Sequence, residues 1–364
     1  MRVGILGGGQ LGRMLALEGY PLGLSFRFLE PHAHAPVHGL GEMVVAPYDD
    51  MGALERFARD LDVATYEFEN VPVASARALA ERVPVLPPPT ALQVAQDRLQ
   101  EKRAFDALGI PTAPWASVDS PAELDSAAVR TGLPAVLKTR HWGYDGKGQA
   151  VIRKHAELEP AWRLLGGRPL IIERFVEFSR ELSILGVRAR DGHAALYPLV
   201  ENEHRGGVLY LSVAPAPLVD EALQGKAEGY ALALMERLDY VGVMALELFQ
   251  EGDALLANEL APRVHNSGHW TLDGAWCSQF ENHLRAVCGY PLGPTEARGY
   301  SAMLNLLGRV PPAREILALG GRLHLYGKEP RPGRKLGHVN VLGADPGEVR
   351  ARVERIEGLL EPAG

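Results

Sequence analysis

The run Val243-Met-Ala-Leu-Glu-Leu-Phe-Gln-Glu-Gly-Asp-Ala-Leu-Leu-Ala-Asn-Glu-Leu-Ala-Pro-Arg263 decides the fold. Two apolar segments flank the turn signal Glu251-Gly252-Asp253 and predict a hairpin. Each segment carries one acid where apolar side chains are expected, Glu247 in the first and Glu259 in the second. An unpaired buried charge is expensive, so each acid needs a partner. With the turn centred on Glu251–Asp253, residue 247 lies opposite 257, and Glu247 and Glu259 become diagonal neighbours on one face. Diagonal positions are about 7–8 Å apart, within reach of two long carboxylates sharing a cation. Carboxylates together with phosphate oxygens are what Mg2+ prefers. Pairing with lysine or arginine is the plainer alternative. On this register Asn258 joins the pair only through a twist.

The residues after the hairpin, Ala261-Pro-Arg-Val-His-Asn-Ser-Gly-His-Trp270, are dense in donors for anions. Arg263 can hold a carboxylate or bicarbonate by two N–H bonds. His265 and His269 have zinc-like i, i+4 spacing, but a third ligand of the right kind is not evident. Upstream, Lys138 closes the apolar strand Ala135-Val-Leu and precedes His141-Trp-Gly-Tyr-Asp-Gly-Lys-Gly-Gln149. Three glycines around a lysine, between two β-runs, make a flap whose N–H groups and ammonium can cover phosphates. The P-loop pattern is absent. Glu173-Arg174-Phe175-Val176 ends another apolar run and suits the edge of a heterocyclic base or equally a routine strand end, and Glu181 suits ribose hydroxyls or solvent.

The N-terminal segment reads as alternating strands and helices, which predicts a parallel sheet. Expected strands are Arg2–Leu6, Ser25–Glu30, Met43–Ala46, Val63–Tyr66 and Val83–Leu86. Gly7-Gly8-Gly9-Gln10-Leu11-Gly12 satisfies G-x-G-x-x-G between a strand and a helix. Such a turn suits a dinucleotide, a substrate phosphate, or nothing beyond a tight turn. Tyr66-Glu67-Phe68-Glu69-Asn70-Val71-Pro72 follows a strand at the sheet edge where ligands gather. Pro87-Pro88-Pro89 marks a domain edge, and Thr90–Gln93 reads as a capping box opening one helix that runs to Leu108. Residues 112–200 read as short, mostly antiparallel strands with few helices, including one run over Ala194–Val200. From about 291, the strands Arg322–Tyr326 and Gly337–Val341 precede a terminal helix, and Lys328, Arg331, Arg334, Lys335 and His338 form a basic cluster.

Composition is ordinary for a globular protein. Hydrophobic residues are 46% and charged residues 23% of 364, which excludes a disordered or collagen-like chain. A net charge of −7 argues against a nucleic-acid partner, so the basic cluster better suits a small phosphate-bearing substrate. Two cysteines, Cys277 and Cys288, cannot form a disulfide framework. MRVGILGGGQ is too glycine-rich for a secretory signal, and no apolar stretch is long enough to span a membrane. The expected setting is cytoplasmic.

Taken in order, Gly4–Arg13, Tyr66–Pro72, Gly143–Gln149, Asn258–Arg263, His265–Trp270 and Arg334–His338 resemble the N5-carboxyaminoimidazole ribonucleotide synthetase family, over nearly the whole chain. The glycine-lysine flap and paired acids are common to ATP-grasp enzymes, whereas Tyr144-Asp145 and the His265–Trp270 run are narrower. The resemblance implies an α/β and α+β chain with an ATP-grasp fold. A Rossmann-like parallel-sheet domain would cover 1–97, an ATP-grasp domain 98–290 with a mobile lid at about 112–176, and a small β-rich C-terminal domain 291–364. It implies that ATP, bicarbonate and 5-aminoimidazole ribonucleotide give ADP, phosphate and N5-carboxyaminoimidazole ribonucleotide through carboxyphosphate.

By the same resemblance, Arg98, Lys138, Gly143, Tyr144, Asp145, Gly146, Lys147, Gly148, Gln149, Glu173, Arg174, Phe175, Val176, Glu181, His204, Asn258 and Glu259 would surround ATP. Glu247 and Glu259 would hold Mg2+, two ions in the usual case, with Mn2+ as a substitute. Arg263, His265 and Lys328 would be catalytic. Gln10, Leu11, Glu67, Glu69, Tyr144, Asp145, Lys328, Arg334 and Lys335 would contact the aminoimidazole nucleotide. His141-Trp142 departs from the family pattern, which has Arg-Gly there. The expected partners are small molecules and a second copy of the chain. The weighed alternatives are a formate-dependent glycinamide ribonucleotide transformylase, a nicotinamide oxidoreductase and a non-catalytic nucleotide sensor.

Overall fold

The computed structural model describes residues 1–141, 143 and 148–360. The N-terminal part runs β1 (Arg2–Leu6), α1 (Gln10–Gly19), β2 (Ser25–Glu30), β3 (Glu42–Val45), α2 (Met51–Ala58), β4 (Val63–Tyr66) and α3 (Val73–Ala80). Its sheet is wholly parallel, ordered β3-β2-β1-β4. Strands buried on both faces explain the apolar runs that announced them: Val3, Ile5, Leu6, Phe28 and Leu29 are inaccessible. The expected strand at Val83–Leu86 is not one. A single parallel bridge joins Ala64 to Val85 before the chain leaves the sheet.

The connector holds α4 (Pro89–Gln96) and α5 (Arg98–Ala107). One helix was expected here, opened by a capping box at Thr90. Instead Pro88 caps α4 without a side-chain bond, and the helix breaks at Asp97, which is extended. The Asp97 carboxylate accepts the Leu99 N–H at 3.0 Å and starts α5 afresh. The break turns Arg98 toward the central sheet.

Next come β5 (Trp115–Val118), α6 (Leu124–Thr131), β6 (Ala135–Thr139), β7 (Gln149–Ile152), α7 (Leu158–Leu164) and β8 (Leu170–Arg174). The four strands form an antiparallel sheet, ordered β5-β8-β6-β7. Helices α6 and α7, absent from the sequence reading, cover one face through Ala127, Ala128, Ala161 and Trp162.

The rest builds one large sheet. Its strands are β9 (Arg180–Arg188), β10 (Ala194–Leu196), β11 (Val200–Arg205), β12 (Val208–Ala214), then after α8 (Glu221–Arg237) β13 (Gly242–Glu251) and β14 (Ala254–Ala261). Past α9 (Thr271–Gly274) and α10 (Gln279–Cys288) follow β15 (Tyr300–Leu307), α11 (Ala313–Ala318), β16 (Arg322–Leu325), β17 (Lys335–Gly343) and α12 (Pro346–Gly358). The order is β14-β13-β9-β11-β12-β15-β17-β16, with β10 beside β9. The C-terminal strands therefore extend the central sheet through the β12–β15 pair. The run Ala194–Val200 splits into β10 and the start of β11, separated by buried Tyr197 and Leu199. Helix α8 covers one face through Ala227, Ala231, Leu234 and Met235, and α10 joins the other face to α1 through Phe280, Leu284 and Val287. No helix among the described residues is long and apolar enough to cross a membrane.

Candidate active site

A cleft of about 1060 Å³ opens where the three parts meet. Its centre is the β13–β14 hairpin. The turn is two residues long, pairing Glu251 with Ala254 and Leu248 with Ala257, and the register then shifts so that Glu247 faces Glu259 directly. The diagonal relation expected from a three-residue turn is thus replaced by a bulge at Asn258, which leaves the ladder and reaches the cleft wall. Two acids face to face repel unless cations intervene. Arg98 Nη1 meets Glu259 Oε2 at 3.1 Å, and His265 Nε2 meets Glu247 Oε1 at 3.1 Å. Burial alone would push the Glu247 carboxyl up. The His265 bond and the nearby charges of His204 and Lys335 outweigh it and hold the carboxyl below its ordinary range.

One face of α5 braces that bulge. Arg98, Glu101 and Lys102 stand at i, i+3 and i+4 and point together at β14. Glu101 accepts the Leu260 N–H at 2.6 Å, and Lys102 donates to the Asn258 carbonyl at 2.8 Å. Glu101 and Lys102 were missed in the sequence. Their signal was present in the spacing from Arg98, but a charged helix face reads as solvated until the strand opposite it is known.

The oxygen-only donor set of Glu247, Glu259 and Asn258 fits a hard divalent cation whose remaining positions go to phosphate and water. Among the described residues no group of three or more His, Cys, Asp or Glu side chains is placed to hold a metal by itself. His269 is 1% exposed and lies beside Phe280, Tyr326 and His338, where burial first, then nearby positive charge, pushes its pKa far down.

On one side of the acids the cleft is shaped for a flat ring and a phosphate chain. Phe178 and Phe249 stack at 4.8 Å with a 6° interplanar angle, near Val176 and Leu256. Neither Phe178, in the loop before β9, nor Phe249, inside β13, was singled out in the sequence, because a lone aromatic in or beside an apolar strand reads as core. His204 Nδ1 lies 2.7 Å from Glu181 Oε2, and this contact, against burial, raises the imidazole pKa. Lys138 Nζ lies on the wall, 3.1 Å from buried Glu173.

On the other side are cations for an anionic substrate. Arg263 pairs with Glu69, and Lys328 donates to Gln10 Oε1. Arg331, Arg334 and Lys335 complete this wall. The glycine turn does not present its N–H groups here. Gly9 N donates to Glu67 Oε1 at 2.6 Å, Gly12 N to Glu67 Oε2 at 3.0 Å, and Gly8 N to Glu30 Oε2 at 2.9 Å. A Cβ on Gly9 would stand 2.5 Å from Glu67 Oε1 and one on Gly7 2.4 Å from Glu67 Cγ. The glycines make room for the chain's own carboxylates, and of the three readings the sequence left open at this turn, these bonds favour the tight turn.

The cleft wall includes Gln10, Leu11, Glu67, Glu69, Arg98, Lys138, Gly143, Gln149, Glu173, Arg174, Phe175, Val176, Glu181, His204, Glu247, Asn258, Glu259, Arg263, His265, Lys328, Arg334 and Lys335. Gly148 stands off it: its carbonyl accepts the Thr139 N–H at 2.8 Å and its φ of +73° closes the β6–β7 connection. Tyr144, Asp145, Gly146 and Lys147 lie outside the described residues, as does Trp142, while His141 Nδ1 contacts the Gln96 carbonyl at 2.8 Å.

Three family models match the chain: a ribonucleotide synthetase preATP-grasp domain over residues 1–96, an ATP-grasp domain over 103–280, and a phosphoribosylaminoimidazole carboxylase C-terminal domain over 301–352. The N5-carboxyaminoimidazole ribonucleotide synthase of Pseudomonas aeruginosa is 51% identical over 362 residues, covering 99% of this chain and all of that protein. The crystal structure of N5-carboxyaminoimidazole ribonucleotide synthetase from Thermus thermophilus is 57% identical, with a TM-score of 0.95, covering 100% of this chain and 99% of that one. The Aspergillus clavatus N5-carboxyaminoimidazole synthase, solved with ADP and 5-aminoimidazole ribonucleotide, is 30% identical with a TM-score of 0.91, covering 99% and 98%.

Proposed function

This chain belongs to the N5-carboxyaminoimidazole ribonucleotide synthase family of ATP-grasp ligases, and on that premise we propose how its residues share the work. It is an ATP-dependent ligase of purine biosynthesis that carboxylates 5-aminoimidazole ribonucleotide to the N5-carboxyamino product. The carbon comes from bicarbonate, which is anionic and a poor electrophile. Transfer of the γ-phosphoryl group to a bicarbonate oxygen gives carboxyphosphate and ADP. The substrate amine then takes the carboxyl carbon and inorganic phosphate departs. The protein's part is positioning and charge neutralisation.

Arg98, Lys138, the 143–149 flap, Glu173–Val176, Glu181, His204 and Asn258 surround ATP, with Phe178 and Phe249 beside the base. Glu247 and Glu259 would hold Mg2+, two ions or Mn2+ in their place, and the metal supplies charge neutralisation at the terminal phosphates. Arg263 and His265 receive bicarbonate and carboxyphosphate, and Lys328 joins them. Gln10, Leu11, Glu67, Glu69, Tyr144, Asp145, Lys328, Arg334 and Lys335 receive the aminoimidazole nucleotide. The domains are 1–97, 98–290 and 291–364, and the working form is a cytoplasmic homodimer.

One observation carries this reading: the opposed Glu247–Glu259 pair, the ammonium of Lys138 and the cations Arg263, Lys328 and Arg334 meet in a single cleft. The test is ADP formation with each substrate omitted in turn. Full turnover is expected only with ATP, bicarbonate and 5-aminoimidazole ribonucleotide together. Turnover with formate and glycinamide ribonucleotide instead would assign the chain a different substrate pair. Background ADP with everything present would make it a nucleotide-binding protein without catalysis.

A further inference from the structure

Glu173 is 3% exposed and meets two ammonium groups at once. Lys138 Nζ stands 3.1 Å from its Oε1, and Lys102 Nζ stands 3.2 Å from its Oε2. Arg98 adds a further positive charge nearby, and buried Glu101 a further negative one. The two lysines differ in what else they reach. Lys102 is 1% exposed and rises from α5 on the far side of β14, where it also donates to the carbonyl of Asn258 at 2.8 Å and approaches that of Ala257 at 3.5 Å. It is absent from the cleft wall, whereas Lys138 is part of it. Of the two lysines, Lys138 alone faces the cleft.

We propose that Lys102 is a positioning residue for nucleotide binding: it neutralises Glu173 from beneath, so that the Lys138 ammonium remains available to nucleotide phosphate. Without Lys102, the buried Glu173 carboxylate has Lys138 as its one lysine partner. Arg98 adds a more distant positive charge, but Lys138 would then be the one ion-paired lysine of the buried carboxylate, which holds it more tightly because the alternative is a poorly compensated charge out of water. Phosphate would then compete with that carboxylate for the same ammonium. Lys102 never touches the nucleotide and acts only through the pair. The argument rests on the reading that Lys138 binds phosphate.

The experiment measures ATP and adenosine binding by calorimetry for the full chain and for Lys138→Met, Lys102→Met and Lys102→Arg. Lys138→Met should weaken ATP binding by roughly tenfold or more, the scale of one charge-assisted contact. Lys102→Met should weaken ATP comparably while adenosine, which carries no phosphate, binds it as it binds the unaltered chain. A general structural defect would weaken both ligands. Lys102→Arg keeps a cation beside Glu173, so ATP affinity should return to within about threefold of the starting value. If Lys102→Met does not fold, Lys102→Gln, which also removes the charge, takes its place. Unchanged ATP binding by the uncharged variant, or Lys102→Arg as weak as Lys138→Met, overturns the proposal. Unchanged binding by Lys138→Met overturns the phosphate reading beneath it as well.

Discussion

Glu247 and Glu259 face each other directly across β13 and β14 because Asn258 is squeezed out of the ladder between them. Without the bulge, the two-residue turn would set Glu247 against Asn258 and leave the two acids on opposite faces of the hairpin. One extra residue in β14 turns two isolated liabilities into a pair. The cost of the pair is met in the free protein by Arg98 and His265.

Glu259→Gln keeps the size and removes the charge. The expected loss in turnover is on the order of 100-fold or more, the scale of a lost charge-stabilising group in a closed site. ADP release with all substrates present measures it, and electron paramagnetic resonance of bound Mn2+ gives a readout independent of turnover. Near-normal values in both would remove Glu259 from the metal site.

Asp97 is the second bend on which the site depends. Its carboxylate caps α5 and takes Arg140 Nε at 2.9 Å and Nη2 at 2.5 Å. Burial alone would raise its pKa, but the Arg140 and Leu99 hydrogen bonds hold it below its ordinary value. A depressed acid stabilises the fold above its unfolded pKa of about 3.9, and that contribution is lost as pH falls through the folded value. Asp97→Ala should cost about 1–2 kcal/mol from the cap alone. Asp97→Asn, which can still cap, should show a shallower fall in Tm below about pH 4 than the unaltered chain. Parallel Tm curves would contradict the pairing.

Much of this site was legible before any coordinates. The acids stood out because charges in an apolar strand need a reason, and Lys138 because it closes one; most of the glycine-lysine flap lies outside the described residues. The register did not, since a bulge is a packing choice between strands that neither strand's pattern contains. Glu101 and Lys102 were hidden for a related reason: their partners are backbone groups of β14, more than 150 residues away. The G-x-G-x-x-G turn stayed open to three readings because its N–H groups do take an anion, and that anion is Glu67, whose position depends on β4 lying beside β1.

His283 gives a test of the seam between the N-terminal sheet and the central one. It is inaccessible, with Nε2 2.8 Å from Thr65 Oγ1 and Nδ1 accepting the Val243 N–H at 3.1 Å. Burial pushes its pKa down to about 3. The unfolded chain takes up a proton near pH 6.5 while the folded one does not, so stability falls as pH drops from about 6.5 toward 3. His283→Gln should flatten the dependence of Tm on pH between about 6.5 and 5, whatever its effect on Tm at neutrality. An unchanged slope would mean that the imidazole is not held neutral at this seam.

The basic wall can be separated from the nucleotide wall by choosing the right cation. Lys335 is a poor choice, because its charge also helps to hold Glu247 ionised, and altering it would disturb the metal site. Arg334 lines the same wall and donates to the Glu329 carbonyl at 3.2 Å, on the segment that leads into β17. Arg334→Ala should raise KM for 5-aminoimidazole ribonucleotide roughly tenfold, the scale of one charge-assisted phosphate contact, and leave KM for ATP unchanged. The effect should shrink as salt is raised from about 0.01 to 1 M, because screening already weakens the contact in the unaltered chain. Equal losses for both substrates would place Arg334 at ATP, and no loss for either would return the basic cluster to an ordinary solvated surface.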